Sequence, residues 1–249
     1  ASKFQELDSR FLVLQGQSNI GSARNADELI RLTSSKYIMI IGAHDLIESH
    51  FLELTIKELE SRDNASLCFS QIVKIDAQGN SLGISECTDL LTGGADELER
   101  YVNASTRTYE NYGVINCLIR RSALVGQKVL RFDGPDHYLI SSLHYIGEFA
   151  LIEKPLYKRR YLDRHPREYG IRLRGKPSGN TNFLPLVLYT IYRFIFLPSS
   201  TKRKITLMPN LVIGLIKTYG PGIRIIYIPF KIARGLRTTL KATLRFFAI

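Results

Sequence analysis

An apolar run that stops at a polar turn constrains this fold more than any other stretch of the sequence. Residues 37–41 read YIMII, and Gly42-Ala43-His44-Asp45 follows them directly. Five consecutive apolar residues predict a strand buried on both faces of a sheet, and Gly42 permits the tight turn that ends it. His44 and Asp45 would then stand at the carboxyl end of a central strand, where open α/β sheets bind ligands. Such a pair can hold a divalent cation or orient a polar substrate; the alternative is that Asp45 caps the following helix.

Segments with strand and helix patterns alternate along the first two thirds of the chain. Residues 10–15 and 37–41 are predicted strands, and residues 22–32 between them have the apolar spacing of a helix. Together they predict a βαβ unit with parallel strands. The later segments predict helices over 47–62, 88–102 and 138–145, a turn at 76–80, and strands over 66–75, 113–120, 150–152 and 156–160. The alternation indicates an α/β fold with a mixed, mostly parallel sheet flanked by helices.

The net charge of +11 arises from the end of the chain. Residues 1–168 contain 20 basic and 23 acidic residues, whereas residues 169–249 contain fourteen basic residues and no acidic one. This asymmetry predicts two units, a catalytic or binding body at residues 1–170 and a basic, apolar helical region at residues 171–249. Nucleic-acid binding would account for the charge but not for the apolar runs of this region, so no nucleic-acid partner is predicted.

Two stretches of the basic region predict contact with a membrane. Residues 182–197 are strongly apolar, but Pro185 and Arg193 interrupt them, and the run is shorter than the ~20 clean residues of a spanning helix. Residues 230–247 predict a helix with basic and apolar faces. The rest of the region is predicted to be divided into short pieces by Pro198, Pro209, Pro221 and Pro229.

The amphipathic pattern of residues 230–247 carries most of the membrane prediction. At 100° per residue one face holds Lys231, Arg234, Arg237, Lys241 and Arg245, and the opposite face holds Ile232, Leu236, Leu240, Leu244 and Phe247. Such a helix can lie in an anionic bilayer surface. The sequence therefore predicts a peripheral or monotopic protein that binds an anionic membrane through residues 182–249. The alternative is a helix packed on the body with a solvated basic face.

The three cysteines, Cys68, Cys87 and Cys117, are widely spaced and odd in number. They match neither a disulfide framework nor a metal-binding pattern, which predicts a reducing compartment. The sequence begins on a charged, polar segment without Met and shows no signal peptide, a pattern compatible with a fragment of a longer protein.

A second acid-bearing turn resembles the first. Asp136-His137 stands before a predicted helix, as His44-Asp45 does. Two carboxylates on separate strand-to-helix turns can have different roles, because one can ligate a metal while the other accepts a proton from a nucleophile. The alternative is that both carboxylates cap helices.

Four segments, taken in order, resemble the motifs of one enzyme family. They are NIGSARNA at 19–26, KYIMIIGAHD at 36–45 with FLEL in the next helix, FDGPDHYLISSLHYIG at 132–147 and LIEKPLYKRRYLDRH at 151–165. Their order and spacing resemble the inverting, family 2 type of nucleotide-sugar glycosyltransferase, which has a GT-A fold. The resemblance covers roughly residues 11–165 and implies a GT-A-like body.

The resemblance implies roles for individual residues. Asp45 matches the family's ligand for the Mg²⁺ or Mn²⁺ that bridges the donor diphosphate, and His44 would be a second ligand or donate a hydrogen bond to phosphate. Gly42 stands where the family has another Asp. Asp136 matches the general base that deprotonates the acceptor hydroxyl. Donor and diphosphate binding is implied for Asn19, Gly21, Asn25, His44, Arg159, Arg160 and His165. The alternative for the basic residues Arg159, Arg160 and His165 is a solvated strand end.

The implied activity is sugar transfer at the cytoplasmic face of a membrane. A nucleotide-sugar donor would react, with inversion, with a hydroxyl of a glycan or lipid-linked acceptor in surface polysaccharide or glycolipid biosynthesis. The family's opening strand, helix and strand, which hold the nucleotide base, have no counterpart in this sequence, so an N-terminally incomplete body is expected. One alternative is a non-catalytic fragment or degenerate homologue that acts as a membrane-bound scaffold. A His/Asp metal phosphohydrolase is disfavoured, because His44 and Asp45 end an apolar strand rather than lying on helices.

Overall fold

A mixed sheet flanked by helices forms the body of the protein, as described by a computed structural model for residues 2–85, 96–107, 112–127, 134–162 and 182–220. The strands are β1 (Tyr37–Met39), β2 (Leu46–Ile47), β3 (Ala65–Ile75), β4 (Ser81–Ser85), β5 (Leu118–Arg120) and β6 (Glu148–Arg160). The helices are α1 (Ser2–Leu7), α2 (Ser22–Leu32), α3 (Phe51–Glu60), α4 (Glu97–Arg107), α5 (Arg121–Leu124), α6 (Pro135–Ile146), α7 (Leu184–Phe196) and α8 (Thr201–Tyr219), with a 3₁₀ turn at Tyr112–Ile115. The predicted α/β fold with a mixed sheet and flanking helices is confirmed.

The strand order is β1-β5-β3-β6-β2, and β4 pairs with β3. Strands β3 and β6 run parallel, whereas β1–β5, β5–β3, β3–β4 and β2–β6 are antiparallel pairs. The prediction of a mostly parallel sheet is therefore wrong for the strands that the structure describes. One reason is local, since a five-residue turn joins β3 directly to β4, and so short a connection can link only antiparallel neighbours.

Strands β3 and β6 are the central pair of the sheet. The first six residues of β3, residues 65–70, are all buried, as expected for a strand covered on both faces. Residues 148–160 form one strand with a shift in register near Pro155, not the two strands predicted at 150–152 and 156–160. Proline has no N–H to donate to a neighbouring strand. The polar Glu-Lys-Pro stretch at 153–155 therefore predicts an interruption, although the strand continues through it.

The N-terminal βαβ prediction is wrong, although α2 has the predicted bounds. Residues 10–15 form no strand, and the side chains of Phe11, Leu12 and Leu14 are 50%, 72% and 51% exposed. Strand β1 spans only Tyr37–Met39, pairs with β5 at one end of the strand order, and has Ile38 as its one buried residue. An apolar run indicates burial only where other elements cover it, and here Ile41 is 46% exposed.

Three further boundaries differ from the predictions. Helix α3 begins at Phe51 because Leu46 and Ile47 pair with β6 as β2. The predicted strand over 113–120 is a 3₁₀ turn followed by the short β5, and the predicted helix over 88–102 extends to Arg107, with residues 88–95 outside the described part. Helix α6 begins at Pro135, so Asp136 and His137 lie inside its first turn rather than before it.

The described part of the basic region packs on the body. One apolar cluster joins α4 and α6 to α7 and α8. Its buried members include Leu98, Tyr101, Tyr138, Leu186, Phe194, Leu207, Leu211, Leu215 and Tyr219. Pro209 lies inside the continuous helix α8, so the prediction that it divides the chain there is wrong. None of the helices described is sufficiently long and apolar to cross a bilayer. The predicted helix over 230–247 lies outside the described residues.

Helices α4 and α8 meet closely at Gly214, where an added Cβ would overlap the side chain of Thr106. The Thr218 hydroxyl also donates a hydrogen bond to the Thr106 carbonyl, at 2.6 Å. We expect Gly214→Ala to lower the free energy of unfolding by about 1–3 kcal/mol, since overpacking outweighs the ~1 kcal/mol by which alanine favours a helix. Urea unfolding measures this change.

Gly220→Ala is the matched control for that substitution. A Cβ at Gly220 would meet Ile216 Cγ2 at 3.8 Å, an ordinary contact, and the backbone there is right-handed helical. The control should be as stable as the wild type or more so. Equal stability of the two variants would contradict the close approach of α4 and α8.

Candidate functional site

The Asp45 carboxylate is held by strand β6. Its Oδ2 accepts a hydrogen bond from the Tyr157 hydroxyl at 2.8 Å, and its Oδ1 accepts one from the backbone N–H of Arg160 at 2.9 Å. The side chain is only 6% exposed. The residue that caps α3 is His50, not Asp45. The alternative in which Asp45 is a helix cap is therefore wrong, and its carboxylate is an anchored acid at the turn between β1 and β2.

Gly42 provides the space for this carboxylate. The Asp45 backbone N–H donates to the Gly42 carbonyl at 3.0 Å, so the chain turns back on itself between the two residues. A Cβ at position 42 would lie 2.7 Å from Asp45 Oδ2, which is closer than real Cβ contacts allow. Gly42 therefore has a steric role here.

Tyr157 is a site residue that the sequence did not reveal. Its side chain is buried and meets the Phe51 ring edge-on, with 6.2 Å between ring centres. Burial, and next the hydrogen bond to Asp45, raise the pKa of the Tyr157 phenol, so the hydroxyl stays protonated and remains a donor. A tyrosine within a run of basic residues gives no local signal that it contacts a turn more than a hundred residues earlier.

Arg160 connects the Asp45 turn to the turn between β3 and β4. Its Nε donates to the His44 carbonyl at 3.1 Å, and its Nη1 donates to the carbonyls of Asp76 and Ala77 at 3.0 and 2.8 Å. Three backbone carbonyls thus orient the guanidinium group. The neighbouring Arg159 lies with its guanidinium carbon 5.7 Å from the centre of the Tyr161 ring. Their diphosphate-binding roles stay predictions.

Asp45 could supply a carboxylate oxygen to a hard cation, and the imidazole of His44 is a softer donor beside it. His44 Nε2 lies 3.7 Å from Asp45 Oδ1, and the His44 side chain is 26% exposed. Each Asp45 oxygen accepts one hydrogen bond from the contacts above, which leaves further lone pairs. Mg²⁺ is commonly bound by one or two carboxylates together with substrate phosphates and water. In the part of the chain that the structure describes, no three His, Cys, Asp or Glu side chains form a complete metal site, so donor phosphates would have to supply ligands.

The Asn19–Asn25 segment forms the turn that begins α2. Asn19 Oδ1 accepts a hydrogen bond from the Gly21 N–H at 2.9 Å, and the Asn25 N–H donates to the Gly21 carbonyl at 3.0 Å. Gly21 is buried with φ of 84°, a conformation that favours glycine. Both asparagine side chains are exposed. Their roles in donor binding stay predictions.

Asp136 and His137 have different environments at the start of α6. Asp136 is half-buried in the first helical turn, where the helix dipole favours a negative charge. His137 is buried, its Nδ1 lies 2.7 Å from the Tyr219 hydroxyl, and burial lowers its pKa. His137 therefore belongs to the contact between α6 and α8. The role of Asp136 as the base stays a prediction. His165 lies outside the described residues.

A single apolar cluster supports both acidic turns. Phe51 and Tyr157, which pack under the Asp45 turn, belong to the same buried cluster as Leu139 and Ile140 of α6. The two carboxylates are therefore carried by elements that share one core. Their assignment to a single site stays a prediction.

Comparison with known proteins gives a sequence match over part of the chain. No family model matches the sequence. Over 80 residues, 32% of this chain and 28% of the relative, the sequence is 29% identical to an uncharacterized glycosyltransferase of Methanocaldococcus jannaschii.

Solved structures show similarity in fold over most of the chain. The structure of S. aureus TarS 1–349 in complex with UDP-GlcNAc superposes with a TM-score of 0.56 and 9% identity, covering 85% of this chain and 56% of that one. A second crystal structure of S. aureus TarS 1–349 superposes with a TM-score of 0.51 and 8% identity, covering 80% of this chain and 51% of that one. The chain thus spans about half the length of these structures. It has an α/β fold similar to that of TarS and a stretch of sequence similar to a glycosyltransferase.

Proposed function

We propose that the protein is a glycosyltransferase of GT-A type that uses a nucleotide-sugar donor. The observation that carries the proposal is the similarity in fold, over 85% of this chain, to a protein whose structure was determined with UDP-GlcNAc. The 80-residue match to a glycosyltransferase supports it from the sequence. The anchored carboxylate of Asp45 gives the proposed donor site a chemical basis.

The donor site is proposed to form around the turn at residues 42–45. Asp45 and His44 would hold Mg²⁺ or Mn²⁺, which when bound neutralises the diphosphate leaving group. The Tyr157 hydroxyl and the Arg160 N–H fix the orientation of the carboxylate through its two oxygens. A carboxylate that is already fixed loses little conformational freedom when it binds a cation. The two hydrogen-bond donors would therefore strengthen the binding of a cation at Asp45.

The acceptor is proposed to react at the start of α6. Asp136 would accept the proton of an acceptor hydroxyl as its oxygen forms a bond to the anomeric carbon of the sugar. The bond from that carbon to the diphosphate breaks on the opposite face, and the nucleoside diphosphate leaves with the bonding electrons, so the configuration inverts. We propose a hydroxyl of a glycan or lipid-linked acceptor, as in surface polysaccharide or glycolipid biosynthesis.

Isothermal titration tests the donor site directly. The purified protein is titrated with UDP-GlcNAc and with a set of nucleoside diphosphates, each with and without Mn²⁺. Wild type should bind at least one of them, and more tightly with Mn²⁺. Asp45→Asn should weaken the Mn²⁺-dependent binding by about tenfold or more, because a charged ligand is lost.

Asp63→Asn provides the control for that titration. Asp63 is an exposed carboxylate in the turn that leads into β3, so its loss removes the same charge away from the proposed site. The control should bind like wild type. Absence of nucleotide binding by the wild type would contradict the proposed donor site and favour the alternative, a non-catalytic fragment or degenerate homologue that acts as a scaffold.

A further inference from the structure

The outward side of helix α8 carries an exposed apolar stripe. Ile205, Ile213 and Ile216 are 53%, 52% and 57% exposed, and Pro209 is exposed between them. At 100° per residue the four positions fall within about 80° of one another on the helix. The opposite side of α8 is already buried in the body. A helix packed on a core normally presents polar residues to water, so this stripe is an apolar surface beyond what folding requires.

Positive charge accompanies the stripe. Lys202 and Lys217 are exposed near its two ends, on the same side of the helix. Of the other basic residues in this part of α8, Arg203 contacts the body and Lys204 contacts α7. Arg203 pairs with Asp96 at 2.5 Å and with Glu99 at 2.8 Å, and Lys204 donates to the Ile195 carbonyl at 2.8 Å. No acidic residue occurs anywhere in residues 169–249. The stripe is therefore apolar with cationic ends, and nothing on its own helix opposes that charge.

We propose that the stripe of Ile205, Pro209, Ile213 and Ile216, together with Lys202 and Lys217, lies on an anionic bilayer surface. The isoleucines would enter the boundary between headgroups and acyl chains, and the lysines would contact anionic headgroups. From Ile205 to Ile216 the stripe is about 16 Å long at 1.5 Å per residue, so α8 would lie parallel to the membrane. This inference assigns membrane contact to a face of the folded body and does not depend on the proposed transferase activity.

Sedimentation with lipid vesicles tests this surface. The full 249-residue chain is mixed with vesicles of phosphatidylcholine alone or with added phosphatidylglycerol. Wild type should sediment with the anionic vesicles. The triple variant Ile205→Ser/Ile213→Ser/Ile216→Ser should bind them about tenfold more weakly or worse, because exposed apolar area is lost. Lys202→Gln/Lys217→Gln should also bind them about tenfold more weakly, with no change on neutral vesicles.

Leu82→Ser/Ile84→Ser is the matched control. These side chains are 59% and 56% exposed on β4, so the control removes two similarly exposed apolar side chains elsewhere, and it should bind like wild type. The proposal is overturned if wild type ignores anionic vesicles, if the triple variant binds as wild type does, or if the control loses as much affinity. Sedimentation velocity adds one more test, since a wild type that self-associates without lipid and a monomeric triple variant would make the stripe an interface between copies of the chain.

Discussion

If Asp136 is the base of the proposed sugar transfer, replacing it with asparagine should lower the transfer rate by about 10²- to 10⁴-fold, the usual contribution of a general base. The amide has nearly the shape of the carboxylate but cannot accept the proton of the acceptor hydroxyl. Donor affinity, measured by titration, should stay within about twofold of wild type, because Asp136 is assigned to the acceptor. Release of nucleoside diphosphate in the presence of acceptor measures the rate. Full transfer by this variant would contradict the assignment of Asp136 as the base.

Loss of the Asp136 charge also affects the stability of α6, and this effect needs a separate control. A carboxylate in the first turn of a helix stabilises it by about 0.3–1 kcal/mol through the helix dipole, so Asp136→Asn also weakens α6 slightly. Glu97→Gln removes an exposed carboxylate from the first turn of α4 in the same way. The two variants should lose similar free energy of unfolding, but only Asp136→Asn should lose transfer activity. Equal losses of activity would point to folding rather than to chemistry.

Mild acid should destabilise the protein through His144. This side chain is buried and stacks on Phe149 with 4.2 Å between ring centres. Burial, and next the charge of Arg100, lower the pKa of His144 to about 4. Between about pH 6.5 and pH 4 the unfolded chain binds a proton at this site and the folded protein does not, so stability falls as the pH falls. The loss is about 2 kcal/mol at pH 5 and about 3 kcal/mol at pH 4, relative to pH 7.5.

Substituting His144 with phenylalanine isolates this contribution. The ring keeps its contact with Phe149 but cannot be protonated, and His144 Nδ1 has no hydrogen-bond partner to lose among the described residues. His137 also has a lowered pKa, so wild type and variant share that part of the pH dependence. Urea unfolding at pH 7.5 and pH 5 should show a smaller fall for His144→Phe, by about 2 kcal/mol. Identical falls for the two proteins would contradict a neutral, buried His144.

The elements predicted well from the sequence are those whose signals are local. Helix α2 has its predicted bounds because apolar and charged residues alternate at helical spacing, and β3 ends where an Asp/Gly/Asn turn follows an apolar run. Strand β2 was missed because two residues carry no periodicity, and only pairing with Tyr157 and Lys158 makes them a strand. Residues 10–15 show the opposite error, a predicted strand that does not form. An apolar run becomes a strand only where a neighbouring strand pairs with it, and the local sequence does not show whether one does.

The candidate site likewise contains residues that the local sequence identifies and residues that it does not. Asp45 and Asp136 are recognisable because acidic residues in Gly-bearing turns beside apolar segments stand out in a sequence. The contacts of Tyr157 and Arg160 with the Asp45 turn span more than a hundred residues. Such contacts depend on how β2 and β6 pair, and no local pattern encodes that pairing.

The fit between Gly42 and Asp45 has a consequence for redesign of this site. A designer guided by the resemblance to family 2 glycosyltransferases would introduce aspartate at position 42 to add a second acidic side chain beside Asp45. The Cβ of any such residue would meet Asp45 Oδ2 at 2.7 Å, so the carboxylate that Tyr157 and Arg160 hold would have to shift. Positions 42 and 45 are therefore coupled, and an acidic residue introduced at position 42 has to be designed together with the conformation of Asp45.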